Sequence, residues 1–134
     1  MMAVIADTHA FIWYLRGSNK LSETAIATLD QTIQAGDSIY VASISLVEIA
    51  YLVERSRIPE TAFEQLNQAL ADPTTSFQIV SLDLAIAQTI RQIDRATVPE
   101  MPDRIIAATA LHLKLPLITR DYRIQALKDI QIVW

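Results

Sequence analysis

Short apolar runs alternate along the chain with longer stretches in which apolar residues recur every three or four positions. Ala3-Val4-Ile5-Ala6 predicts a buried strand, and residues 8–15 a helix that Gly17-Ser18-Asn19 breaks. Residues 22–35 predict a second helix, with Ile26, Leu29 and Ile33 on one face, Ser22 as N-cap and Gly36 closing it. A second strand is expected at residues 38–42, followed by a strongly apolar helix over 43–55. A further helix over 59–70 is begun by Pro59 and stopped by Asp72-Pro73. Residues 77–80 read as a third strand, and 83–95 as a helix with Ile86, Ile90 and Ile93 in register. A proline-bounded connection at 97–101 leads to a helix over 102–113. A fourth strand follows at 115–119 around Pro116, then a short helix over 122–127 and a last strand at 130–133.

Strands separated by helical segments imply a mostly parallel sheet covered on both faces. The strands are apolar runs rather than alternations, as burial on both faces requires. The expected architecture is a three-layer α/β/α sandwich of about five strands, an α/β fold in one domain spanning 1–134. No repeat, low-complexity tract or linker interrupts it.

Composition narrows the chemistry. With 51% hydrophobic and 19% charged residues the chain is too apolar for disorder. Zero cysteines exclude a disulfide scaffold, a thiolate zinc site, an iron–sulfur cluster and a cysteine nucleophile. His9 and His112 are too far apart for a helical zinc pair, and two glycines cannot build the usual glycine-rich phosphate cradles. A net charge of −4 argues against bulk coating of nucleic acid. The most apolar window, residues 39–53, carries Glu48 and is too short for a membrane span. The N-terminal run has no basic segment and meets Asp7, so it does not read as a secretory signal. A cytoplasmic location is expected.

The acids fall where a parallel sheet binds ligands, at the carboxyl ends of strands. Asp7 follows the first strand and Asp121 the fourth. Glu48 lies near the start of the helix after the second strand, and Asp103 in the first turn of the 102–113 helix. Each has an ordinary reading too: Asp7 and Asp121 as N-caps, Asp103 as a complement to the helix dipole, Glu48 as half of an ion pair. Glu48 is the hardest to explain so, because Ile44, Val47, Ile49 and Leu52 surround it in the helix. Carboxylates about 4 Å apart repel by about 4 kcal/mol per pair at an effective dielectric near 20. A cleft holding four needs raised pKa values or a cation, and with only oxygen ligands that cation is Mg²⁺ or Mn²⁺. Such a site suits phosphodiester hydrolysis. A haloacid-dehalogenase-type phosphatase would need Asp-x-Asp after the first strand, where this chain has His9. A response-regulator receiver would need an acidic pair there and an Asp after Val41, and neither is present.

Four segments carry a resemblance. They are Val4-Ile5-Ala6-Asp7-Thr8-His9-Ala10-Phe11-Ile12-Trp13, Ala42-Ser43-Ile44-Ser45-Leu46-Val47-Glu48-Ile49, Pro102-Asp103-Arg104-Ile105-Ile106-Ala107-Ala108-Thr109-Ala110 and Leu117-Ile118-Thr119-Arg120-Asp121. Their acids stand 41, 55 and 18 positions apart. In order and scale this resembles the PIN-domain ribonucleases, in particular the VapC-type toxins of type II toxin–antitoxin systems, from residue 3 to the C-terminus. The Asp-Thr-His start with Trp13 is similar to one branch of that family. The resemblance implies that Asp7, Glu48, Asp103 and Asp121 hold one or two Mg²⁺ or Mn²⁺ ions and position the attacking water. Thr119 matches the hydroxyl that helps hold the acids, with Thr8 a more distant support. The resemblance also implies an RNA substrate, 5′-phosphate and 3′-hydroxyl products, a homodimer and a cognate VapB-like antitoxin. Two alternatives stand beside the toxin reading: a non-toxin PIN nuclease acting in RNA processing or on DNA, and a non-catalytic PIN binding module.

Other features receive smaller roles. Asp83 is expected to be an N-cap, Asp94 a solvated helix-end acid and Asp129 part of a turn. His9 is expected to be a structural hydrogen-bonding residue, since it would be the only nitrogen in an oxygen site. Arg104, Arg120 and Arg123 adjoin the acids and are candidates for contacting RNA phosphate, with ordinary surface pairing as the other reading. Core packing is expected for most of Trp13, Tyr14, Tyr40, Tyr51 and Phe63, a stacking or partner surface for the rest. In toxin relatives the region of the 43–55 and 59–70 helices helps form the antitoxin groove, so exposed apolar surface is expected there.

Overall fold

A computed structural model describes residues 3–134. Five parallel strands run β1 (Val4–Ala6), β2 (Ile39–Ala42), β3 (Phe77–Val80), β4 (Leu117–Ile118) and β5 (Ile132–Val133), in the order β3-β2-β1-β4-β5. Helices α1 (Thr8–Leu15) and α2 (Glu23–Gln34) lie between β1 and β2. Helices α3 (Ser43–Glu54) and α4 (Glu60–Ala71) lie between β2 and β3. Helices α5 (Leu84–Thr89) and α6 (Met101–Leu113) return the chain to β4, and α7 (Tyr122–Gln125) leads into β5. This is the expected α/β/α arrangement. No helix among the described residues is long and apolar enough to cross a membrane.

The apolar runs become strands because both sheet faces are covered. Neighbouring side chains on a strand point to opposite faces, and here they enter two cores. Val4, Ala6, Ile39, Val41 and Ile118 pack with Phe11, Leu29 and Leu66. Ile5, Ala42 and Leu117 pack with Ile86, Ile106 and Ile124. Helix α3 reaches both, with Ile49 in the first core and Ile44 against the second. Ala107, Ala108 and Ala110 are fully or almost fully buried, so α6 lies close against its neighbours. β3 is an edge strand, buried only at Phe77.

Four sequence expectations change at this level. First, α2 turns Ala25, Leu29 and Thr32 inward, leaving Ile26 and Ile33 more than one-third exposed. The helix is rotated from its apolar centre because Ala25 and Thr32 are small enough to sit against the sheet. Second, the expected helix over 83–95 ends at Thr89 and tightens into a 3₁₀ turn at Ile90–Gln92. Thr89 Oγ1 donates to Ala85 O at 2.7 Å, a back-bond that bends helices. Third, β4 is shorter than 115–119 because Pro116 has no N–H for the ladder, while its carbonyl still accepts from Ile5 N at 2.9 Å. Fourth, α7 and β5 are trimmed at their ends relative to 122–127 and 130–133. The expected caps are present at Ser22, which accepts from Ala25 N, and at Asp83, which accepts from Ile86 N. Asp94 accepts from Thr97 Oγ1 at 2.6 Å and fixes the turn before α6.

Arg104 explains the break before α6. Its guanidinium donates to Ile90 O at 3.0 Å and Ile93 O at 3.1 Å, taking the carbonyls that continued helix would have used. Expected as a candidate for contacting phosphate, Arg104 is placed by the structure against the 3₁₀ turn, which it ties to α6. Hydrogen bonds from a charged donor contribute about 1.5–3 kcal/mol. Arg104→Ala is expected to lower stability by about 2 kcal/mol. A urea midpoint identical to the parent chain would contradict this role.

Candidate active site

The strand order reverses at β1: the chain runs outward through β2 and β3, then returns to place β4 on the other side of β1. Such a switch point opens a crevice at the carboxyl ends of the two strands. The register pairs Ala6 with Ile118, so the next residues, Asp7 and Thr119, emerge side by side. Asp7 N donates to Ile118 O at 2.9 Å. A cavity of about 630 Å³ opens here, and Asp7, Glu48, Asp103 and Asp121 all line it.

Each acid is placed by local chain chemistry. Asp7 caps α1, its Oδ1 accepting from Thr8 N at 2.7 Å, while its Oδ2 accepts from the buried Thr119 hydroxyl at 2.6 Å. That Thr119 oxygen also accepts from Asp121 N at 3.0 Å, so one hydroxyl joins the β1 and β4 acids. Asp121 spends one oxygen on capping α7, accepting from Arg123 N and Ile124 N. Gln125 Nε2 donates to Thr119 O at 2.8 Å and closes this turn. Glu48 projects from α3 and accepts from Thr8 Oγ1 at 2.6 Å, and the same Thr8 oxygen is hydrogen-bonded with the buried Ser45 hydroxyl at 2.8 Å. The N-cap readings of Asp7 and Asp121 thus hold together with their place in the cleft. Ser45, not singled out from the sequence, sits one turn before Glu48 on the same face of α3. A small polar residue among apolar helix neighbours was the available signal.

Gathering the acids has an electrostatic cost. Burial raises the Asp7 pKa, and the Thr119 and Thr8 hydrogen bonds pull against it. Burial likewise raises Glu48, opposed by the Thr8 hydroxyl and reinforced by Asp7. Asp103 is pushed up to about 7 by burial and then by Asp121, Asp7, Glu48 and Glu100. Its place in the first turn of α6 favours a negative charge, and burial, reinforced by the surrounding carboxylates, overcomes that preference.

The donor set suits a hard divalent cation, being all carboxylate and destabilised while uncompensated. Among the described residues no three acidic or histidine side chains converge into a ready coordination shell. Mg²⁺ does not require one, because it commonly keeps several waters and takes only one or two carboxylates.

The rim is aromatic and basic. Trp13, His9, Arg120, Tyr122 and Arg123 line the same cavity. His9 packs its ring 5.5 Å from that of Trp13, so the contact it makes is aromatic rather than the expected hydrogen bond. A second, more apolar groove of about 420 Å³ lies beside the first, bordered by Val47, Tyr51 and Met101, each at least half exposed. The exposed apolar surface expected of this region is carried by α3, whereas α4 buries Ala62 and Leu66.

Fold and site together define a three-layer α/β/α domain with an acid-lined cleft at its switch point. The PIN domain family model matches residues 4–130, and the chain belongs to that family. It is 30% identical over 128 residues to Ribonuclease VapC22 of Mycobacterium tuberculosis, covering 94% of this chain and 92% of that protein. Its fold is similar to those in the DNA-bound VapBC2 structure from Rickettsia felis (TM-score 0.72, 17% identity, 98% of this chain and 97% of that one). A DNA-bound VapBC from Salmonella typhimurium is equally similar (TM-score 0.72, 22% identity, 98% and 97%). FitAcB from Neisseria gonorrhoeae is also similar (TM-score 0.66, 24% identity, 98% and 96%).

Proposed function

We propose that the chain is a Mg²⁺- or Mn²⁺-dependent endoribonuclease and the toxin of a toxin–antitoxin pair acting in the cytoplasm. The observation that carries this reading is the gathering of Asp7, Glu48, Asp103 and Asp121 around one cavity at the β1/β4 switch point. Membership of the PIN family and the likeness to a VapC ribonuclease support it. The four acids would hold one or two divalent ions. Bound there, the cation supplies Lewis acidity that eases deprotonation of water and offsets negative charge on the phosphodiester. Thr119 fixes the Asp7 carboxylate, and the Thr8 hydroxyl orients Glu48. Arg120 and Arg123 stand at the rim to meet phosphate. Water adds to phosphorus and the bond to the 3′-oxygen breaks, leaving a 5′-phosphate and a 3′-hydroxyl.

The same reading includes a homodimer and a VapB-like antitoxin. The apolar groove of Val47, Tyr51 and Met101, continuous with the acidic cavity through His9 and Glu48, suits an antitoxin segment lying across the site. The test incubates the purified chain with a mixed transfer-RNA substrate in Mg²⁺, in Mn²⁺ and in EDTA. Discrete cleavage in the metal lanes and none in EDTA is expected. Cleavage that persists in EDTA would overturn the metal-dependent mechanism. Absence of cleavage, together with no carboxylate-dependent uptake of Mn²⁺, would favour a binding module.

A further inference from the structure

We propose that Tyr122 is the residue on which an RNA base stacks at this cleft, and that Trp13 holds Arg120 in place for the adjoining phosphate. The inference rests on the ribonuclease reading and adds the substrate subsite to it. Tyr122 directly follows the cleft acid Asp121, opens α7 and lines the cavity, yet it is 72% exposed. Core packing does not account for it, because α7 anchors itself through the fully buried Ile124. The Arg123 guanidinium stands 5.8 Å from the Tyr122 ring centroid. One guanidinium covers at most one face of a ring, and a side chain 72% exposed keeps the rest of its surface accessible at the cavity rim. An open aromatic face beside an arginine is the arrangement by which single strands are held: a base takes the ring and a phosphate meets the cation.

Trp13 has a different role. It is partly buried, with Arg120 at 5.5 Å and Lys20 at 5.8 Å over its ring, His9 at 5.5 Å and Trp134 at 6.2 Å. So surrounded, it is not free to stack a base. It is a positioning residue for Arg120, whose backbone lies between Thr119 and Asp121 and whose side chain is exposed at the cavity. A chain of net charge −4 with four acids in its cleft repels a polyanion. Fixed cations next to those acids are what such a cleft needs to bind RNA.

The test measures binding of a fluorescein-labelled single-stranded RNA 12-mer to the Asp7→Asn chain, which is expected to leave the probe intact. Steady-state cleavage is measured in parallel in the Asp7 background. Tyr122→Ala is expected to raise Kd and KM at least about fivefold with little change in kcat. Tyr122→Phe should recover most of that affinity, and the salt dependence of binding should keep its slope. Arg120→Ala should reduce the slope by about 0.7, one single-strand phosphate contact, and should cost less affinity when Trp13→Leu is already present. Unchanged Kd and KM in Tyr122→Ala while the parent chain cleaves RNA would overturn the proposal and leave the ribonuclease reading standing. Additive effects of Trp13→Leu and Arg120→Ala would overturn the positioning role. If the parent chain neither binds the 12-mer nor cleaves RNA, both readings fall together.

Discussion

Replacing Asp7 by asparagine is expected to leave the chain folded and to lower metal-dependent RNA cleavage more than about a hundredfold, the scale seen when one preorganised electrostatic group is removed from an active site. The side chains have nearly the same shape. The amide oxygen can still accept from Thr8 N, and the amide nitrogen faces a Thr119 hydroxyl able to accept in its turn. Stability should not fall, because burial already disfavours the Asp7 charge and the substitution removes it. What is lost is a carboxylate positioned by β1, by the α1 N-terminus and by Thr119. The measurement is single-turnover cleavage beside a thermal melt. Full activity in the variant would sink the assignment of the site. Lost activity with a lowered Tm would point instead to a damaged fold.

The second large effect concerns pH. Asp103 has a folded-state pKa of about 7 against an ordinary 3.8, and Asp7 and Glu48 are raised as well. A carboxyl whose pKa is raised by folding favours the folded state when protonated. Its contribution is fully present below the unfolded value and is lost as pH rises through the folded one. The metal-free chain should therefore melt lower at pH 8 than at pH 5. Asp103 is only partly buried, so solvent screening reduces the effect below that of a fully buried charge. A fall on the order of 5 °C is expected. Mn²⁺ should restore stability, by about 2.7 kcal/mol at a hundredfold excess over Kd, more at pH 8 than at pH 5 because protons compete for the same oxygens. Asp103→Asn should flatten the metal-free pH profile and shrink the Mn²⁺ shift. A melt independent of pH in the parent chain, or a Mn²⁺ shift equal at both values, would show that the acids do not interact across the cavity.

These two experiments probe different properties of one construction. Asp7 tests whether the carboxylates act on substrate, and Asp103 tests whether they sense one another. The Thr119 hydroxyl joins two of those acids, holding Asp7 and accepting from the backbone of Asp121.

Much of this was legible along the chain because the signals were local. An apolar run with no alternation means a strand covered on both faces, and Val4–Ala6 and Ile39–Ala42 became such strands. Ser22 and Asp83 announce helix starts by side-chain capping, which involves only residues within one turn. Asp7 and Asp121 stood out because parallel strands deliver their following residues to one edge of the sheet, and Glu48 and Asp103 joined them through spacing and neighbours that resemble one family. Other features depended on partners distant in sequence. Nothing near residue 104 says that its guanidinium will take the carbonyls of Ile90 and Ile93, or that this contact ends a helix the isoleucine spacing favours. Nothing near residue 25 says that Ala25 and Thr32, rather than Ile26 and Ile33, will face the sheet. The reach of Thr8 to Glu48 and of Thr119 to Asp7 spans 40 and 112 positions. The sequence alone therefore determined the element types and the parallel sheet, consequences of periodicity and capping within a few residues, and its resemblance to one family pointed to the four candidate acids. Only the tertiary structure decided which hydroxyls orient those acids, how far their charges raise one another and which aromatic stands open at the cleft. Those properties depend on distances and burial that exist only once the strands have paired.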